Sequence, residues 1–344
     1  MKKILLASTA LVATAGVASA QDLGVALSGS AEMGIFDNGN DNSQFFTDLD
    51  VTFTMTGETD NGLSFGATID LDEAADRGEP GRFESPDVQG GENMFVSYGG
   101  ATLTMGDTDG AMDAVMPEMA LAGGSLADDE TAHGGFDDQD GHILLGTDSG
   151  LSFDGAGDGQ IARFDYSYSA FTFSVSAEQL NNGDGIDYLG VDSGDSVYGL
   201  GVSYAGDFSG VAVEAGLGWQ TISDFADTYG IAATAGLASG VSFGATYSKT
   251  NLEDDVVTVA GLSDDSIDHY GLGLGYEMNQ FEIGVNYGKY ESDDYEVSGY
   301  GLAASYDFGG GLEMQAGYGN TEADDDLFDD DGFDTYSIGL SMSF

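Results

Sequence analysis

Residues Asp334–Phe344 read DTYSIGLSMSF. Tyr336, Ile338, Leu340, Met342 and Phe344 alternate with Ser337, Gly339, Ser341 and Ser343. Alternation with period two predicts a strand with two unlike faces. The run just upstream, ADDDLFDDDGFD, is among the most acidic in a chain whose formal net charge is −54. An apolar stripe in such a chain needs something apolar to cover it.

The same pattern recurs along the chain. It is plain in LSFGATIDL (Leu63, Phe65, Ala67, Ile69, Leu71), GVAVEAGLGW (Val211, Val213, Ala215, Leu217, Trp219) and YGLGLGYEM (Tyr270, Leu272, Leu274, Tyr276, Met278). Sixteen such segments are predicted, from Asp22–Phe36 to Asp334–Phe344. Their typical length, about ten residues, suits a tilted strand crossing a bilayer. The connections alternate as well. One set is short: GETDNG, GG, SA, AGDFSG, ASG, MN and GGG. The other is long, acidic and glycine-rich, and includes EAADRGEPGRFESPDVQGG, residues Thr108–Gly159, TISDFAD and TNLEDDVVTVAGLSDDSID. Tight turns on one rim, long loops on the other and an even strand number describe an all-β, sixteen-stranded antiparallel transmembrane barrel of the bacterial outer membrane. A closed sheet pairs every backbone polar group inside lipid, so the final stripe faces the bilayer and its strand closes against the first. Aromatic residues near segment ends, among them Tyr98, Tyr168, Trp219, Tyr247, Tyr306 and Phe344, fit the two interfacial girdles.

Composition agrees. MKKILLASTALVATAGVASA has a basic start, an apolar run and Ala18-Ser19-Ala20 as a small-residue cleavage site, so residues 1–20 are expected to be a signal peptide and 21–344 the barrel domain. After it the chain keeps Arg77, Arg82, Arg163, Lys249 and Lys289 against 61 acidic residues, a balance that repels nucleic acid. Cysteine is absent, so no disulfide staples this exported chain. Catalytic signatures are missing: there is no G-x-S-x-G elbow, and the many G-x-G pairs lie in strands rather than in a strand–helix fingerprint. His133 and His142 share the longest loop with many carboxylates, but acids are near everything here. No enzyme activity is expected.

VALSGSAEMGIFDNG, FTMTGETDNGLSFGA, VSYGGATLTMGDTDGAMDAVM and GYGLAASYDFGGGLEMQAGYG resemble the general porins of alphaproteobacteria, the Rhodobacter-type porins. The resemblance implies a homotrimer in outer-membrane lipid and lipopolysaccharide, passing small hydrophilic solutes by diffusion. It implies that Thr108–Gly159 folds into the barrel as a constriction, and that Phe344 stands where the family carries its assembly signal.

Strand register then assigns the lumen. If Leu27, Met33 and Ile35 face lipid, Glu32 faces inward. If Leu49, Val51, Phe53 and Met55 face out, Asp48 and Asp50 face in. The same parity places Asp70, Asp72, Asp165, Glu178, Glu214, Glu282 and Glu313 inside, with Arg163 as the clear inward base. Asp109, Asp113 and Glu118 join the expected constriction from the long loop. The family sets arginines on the early strands opposite the acids of that loop; by motif, Glu32, Asp48 and Asp50 stand at those places here. Cations are therefore the expected preferred solutes. FDDQDGH, LFDDDGFD and DNGNDN are dense in oxygen ligands without the EF-hand spacing. Structural calcium at Asp128, Asp129, Asp137, Asp138 and Asp140 is an expectation, with no other cofactor. The alternative reading is a secreted, acidic, calcium-dependent β-rich binding or adhesive protein.

Overall fold

The computed structural model describes residues 24–37, 39, 43–72, 89–127, 133–136, 153–154, 160–179, 187–188, 191–192, 196–293, 296–324 and 332–344. The expected signal peptide lies outside them. Sixteen antiparallel strands close into a barrel. They are β1 (Gly24–Asp37), β2 (Gln44–Glu58), β3 (Ser64–Asp72), β4 (Gln89–Tyr98), β5 (Ala101–Gly106), β6 (Ile161–Tyr168), β7 (Phe171–Gln179), β10 (Ser196–Phe208), β11 (Val211–Ile222), β12 (Ala226–Leu237), β13 (Val241–Leu252), β14 (Ser266–Met278), β15 (Phe281–Glu291), β16 (Glu296–Gly309), β17 (Leu312–Asp324) and β18 (Gly332–Ser343). A two-stranded hairpin, β8 (Asp187–Tyr188) with β9 (Val191–Asp192), sits in a long loop. β18 pairs with β1 from Ser30↔Ser343 to Asp37↔Tyr336, so DTYSIGLSMSF does close the wall.

The two faces follow the alternation. Leu27, Leu49, Phe164, Leu217, Ile231, Leu272, Ile283 and Ile338 are exposed on the outside, where a soluble protein would bury them. The aromatics form two belts. Phe171, Tyr204 and Phe208 touch ring to ring in sequence at the short-turn rim, as do Phe281, Tyr306 and Phe308. Tyr247 meets Tyr270, and Tyr300 meets Tyr318, toward the long-loop rim. Short turns use the left-handed backbone that two-residue hairpins require: Gly99 and Gly100 have φ of 61° and 89°.

Two loops differ from their sequence reading. TISDFAD is a tight turn: β11 runs to Ile222, β12 starts at Ala226, and Asp224 takes φ 60° between them. The strands here go on pairing beyond the lipid, where the alternation inverts: Ile222 and Ala226 are buried on the inner face and Thr221 and Asp227 stand on the outer one. TNLEDDVVTVAGLSDDSID holds a helix, α1 (Asp254–Ala260). Its β-branched run argues against a helix, but Asp254 and Asp255 favour the positive N-terminal dipole and Gly261, at φ 75°, ends it. Val256 is fully buried against Phe153, Val197, Ile222, Phe225 and Leu252, which roofs one side of the mouth.

The packed interior thus lies inside the barrel, between wall and loop. Its second cluster is Met112, Val115, Met116, Met119, Phe136 and Ala232.

Candidate functional site

The described residues that follow β5, 107–127 with 133–136, pack against the inward face of the wall. What lets them lie there is glycine. An added Cβ at Gly216 would overlap the Val115 carbonyl oxygen, one at Gly273 the Met119 oxygen, and one at Gly284 the Ala122 oxygen. Backbone can press on backbone only where no side chain stands between. Met112 and Leu126 are fully buried in this seat. Each such side chain contributes about 1.5–3 kcal/mol relative to exposure. The inward small residues of β10–β18 are therefore a bed for the loop. The available signal was the coincidence of inward glycines on these strands with methionines and leucines in an otherwise polar loop.

Polar anchors fix the loop along its course. The Ala111 amide donates to Ser176 Oγ (2.9 Å), Leu126 to Ser337 Oγ (3.0 Å) and Gly134 to Thr321 Oγ1 (2.9 Å). At the root, Gly110 N donates to Asp154 Oδ2 (2.6 Å), while Gln220 Nε2 donates to Asp154 Oδ1 and Gln220 Oε1 accepts from Phe153 N (2.7 Å). One carboxylate thus joins the start of the loop to its return. His133 is buried deeper in. Its Nδ1 accepts from Gly135 N (3.2 Å), so Nε2 carries the proton and donates to Asn286 Oδ1 (2.8 Å). This is a docking role; neither His133 nor the buried His269, whose Nε2 meets the Gly135 carbonyl oxygen, belongs to a catalytic set.

These anchors carry opposite pH signs. Burial lowers the His133 pKa to about 4, so its contribution is complete above its unfolded value and lost as pH falls toward 4. Burial raises the Asp154 pKa to about 7, with Glu178 and Asp109 adding to the rise. Its contribution is complete below the ordinary carboxylate range and lost as pH rises to 7. Between about pH 4 and 6.5 the two slopes, about 1.4 kcal/mol per unit each, cancel. Loop docking, read by limited proteolysis, is expected to be flat over that range in the native chain. It should weaken with rising pH in His133→Gln and strengthen with rising pH in Asp154→Asn. Parallel profiles in all three proteins would refute these assignments.

The expected constriction residues are placed as follows. Glu32 stands opposite Asp48, and Asp50 opposite both Ser30 and Asp72. Ser30 Oγ donates to Asp50 (2.9 Å) and Thr52 Oγ1 to Asp70 (3.3 Å), so these carboxylates share the inner face of β1–β3. Glu32 is more than a wetted acid: its Oε2 accepts from the Ala127 amide of the loop at 2.9 Å. Glu282 likewise accepts from the Gly123 amide. Glu178, expected in the open lumen, is 2% exposed, because the loop root covers it. Arg163 faces inward and is held by Asp165 (3.1 Å) and Asp109 (3.4 Å), with the Asp109 carbonyl oxygen at 2.7 Å. Asp113 lies in a short 3-10 turn, and Glu118 is exposed on the loop. Lys249 and Lys289 are on the outer face, paired with Asp268 (3.3 Å) and with Glu291 and Glu296 (3.2 and 3.0 Å). Arg163 is thus the one inward base among the described residues. The calcium candidates Asp128, Asp129, Asp137, Asp138 and Asp140, with His142, Arg77 and Arg82, lie outside the described residues. Among those described, no group of three or more imidazoles and carboxylates is placed to hold a metal.

Known proteins share this architecture. A porin of Rhodobacter capsulatus is 32% identical over 324 residues, covering 88% of this chain and 95% of its own length. A solved structure of porin refined at 1.8 Å superimposes with a TM-score of 0.64 at 25% identity, over 93% of this chain and all of the other. A triple mutant of Rhodopseudomonas blastica porin gives 0.62 over the same shares at 17% identity, a likeness of fold alone. Residues 7–326 match the Gram-negative porin family. With a lipid-facing wall closed on itself and a loop seated inside it, the chain belongs to that family: it is an outer-membrane diffusion channel and not an enzyme.

Proposed function

We propose that this porin prefers cations among the small hydrophilic solutes it passes. The observation that carries the reading is the inner face of β1–β3. Glu32, Asp48, Asp50 and Asp70 share it, and the one described inward base, Arg163, is already engaged by two carboxylates. Carboxylates lining a pore favour cations. The test is the zero-current potential across a planar bilayer under a salt gradient, which should carry the sign of cation selectivity.

The same reading includes a cleaved segment 1–20, a homotrimer and contact with lipopolysaccharide. It also includes calcium held by Asp128, Asp129, Asp137, Asp138 and Asp140, since a run of sequence so dense in carboxylates suits a cation that takes oxygen ligands. Chelation by EDTA is then expected to speed proteolysis of the loop and lower the melting temperature, with both restored by added calcium. Unchanged stability and conductance would remove calcium from the structure.

A further inference from the structure

The barrel closes where β1 meets β18, and this ladder is short. It spans Ser30–Asp37 on β1, whereas β1 pairs with β2 from Gly24 to Phe36. Two consecutive residues of the constriction loop sit on that seam. The Leu126 amide donates to Ser337 Oγ on β18 (3.0 Å), and the Ala127 amide donates to Glu32 Oε2 on β1 (2.9 Å). Glu32 is in turn hydrogen-bonded to Ser341 across the seam. The Leu126 side chain, fully buried, fills a notch made by Gly34 and Gly339, which pair directly with each other, one from each strand. A Cβ at either glycine would overlap Leu126 Cδ1. Ala127 holds φ 71°, a left-handed backbone that a non-glycine residue keeps only where its surroundings over-determine it.

We propose that Leu126 and Ala127 form a clasp across the closing seam, so that the aperture and the closure of the barrel stabilise each other. The notch exists only once β18 has docked on β1. The loop therefore locks last, and once locked it bonds the two strands together from the inside. Ser337 and Leu126 are positioning residues that set where the loop lies, and Glu32 does the same beside lending its charge to the pore face. The clasp also gives Glu32 a task separate from its charge, because a neutral oxygen at that place still accepts from the Ala127 amide.

The test uses the full-length protein folded in detergent and in planar bilayers. Hydrogen exchange of peptides from β1 and β18 reports the seam, and open-channel current noise reports the loop. Leu126→Ala should raise seam exchange roughly ten-fold or more, since a cavity replaces a buried leucine. Ser337→Ala, which removes one oxygen and is expected to fold, should raise it by several-fold. Met119→Ala deletes a buried side chain of the same loop far from the seam, against β13 and β14, and should leave seam exchange at the native rate. Current noise should increase in Glu32→Ala and stay native in Glu32→Gln. Seam exchange that stays native in Ser337→Ala, or rises as much in Met119→Ala as in Leu126→Ala, overturns the clasp. So does equal noise in the two Glu32 variants. If Leu126→Ala does not assemble, Ser337→Ala and the Glu32 pair decide the matter.

Discussion

Deletion of Phe344, or its replacement by Asp, is expected to lower the amount of folded barrel in the outer membrane several-fold while barely altering the barrel once it has formed. Phe344 lies at the short-turn rim, 77% exposed as a residue, and its amide donates to the Gly29 carbonyl oxygen at 2.9 Å. A ring so exposed adds little packing. A charge near the membrane interface costs only about 0–1 kcal/mol, less for Asp than for a base. Equilibrium stability thus cannot produce a several-fold loss. A loss of that size must come from recognition of the aromatic while the strand is still unpaired. Two measurements separate the effects: the level of heat-modifiable porin in outer-membrane fractions, and the melting midpoint of protein refolded in detergent. A fall in the first with a native second is the expected result. Native levels in the mutants would end the proposed role of Phe344 in assembly.

The wall was legible because lipid imposes a strict rule on it. Each of the sixteen expected segments corresponds to a strand, and the parity that sent Leu27 out and Glu32 in holds around the barrel. Strand ends were less legible. At the long-loop rim the apolar side chains turn from the outer to the inner face, with Ile222 and Ala226 buried, so β11 and β12 meet three residues apart where a seven-residue loop was read. The seat of the loop was hidden for another reason. Its wall partners are glycines, which leave no side-chain pattern, and its own apolar residues follow no single period. Partners were illegible too. Register gives a face, but not that Glu32 receives the Ala127 amide, that Glu178 is covered, or that Asp109 and Asp165 occupy Arg163. Parity is a local property of the chain; apart from Asp165 on Arg163, those contacts join residues far apart in sequence.

Those contacts sharpen the selectivity expected of the pore. Two unit charges about 4 Å apart interact by roughly 1 kcal/mol in bulk water, and by more where water is confined. A few carboxylates facing a wide lumen should therefore favour potassium over chloride by several-fold, without excluding chloride. The engaged state of Arg163 matters here, because a base already shared by two carboxylates offers little attraction to a passing anion. Screening sets the dependence on salt: the Debye length shrinks from about 10 Å at 0.1 M to about 3 Å at 1 M, so the preference should fall as KCl rises. The substitutions must spare the loop. Asp48→Arg with Asp50→Arg reverses charge on β2, while Glu32→Gln removes charge on β1 and keeps an acceptor for Ala127. The triple variant should show a zero-current potential near zero or of opposite sign at low salt, with native current noise. Ordinary noise is the control, since a displaced loop would alter selectivity by changing the aperture instead of the field. A native channel that is neutral or anion-selective at 0.1 M KCl would show that the inner carboxylates of β1–β3 do not govern the ions that pass.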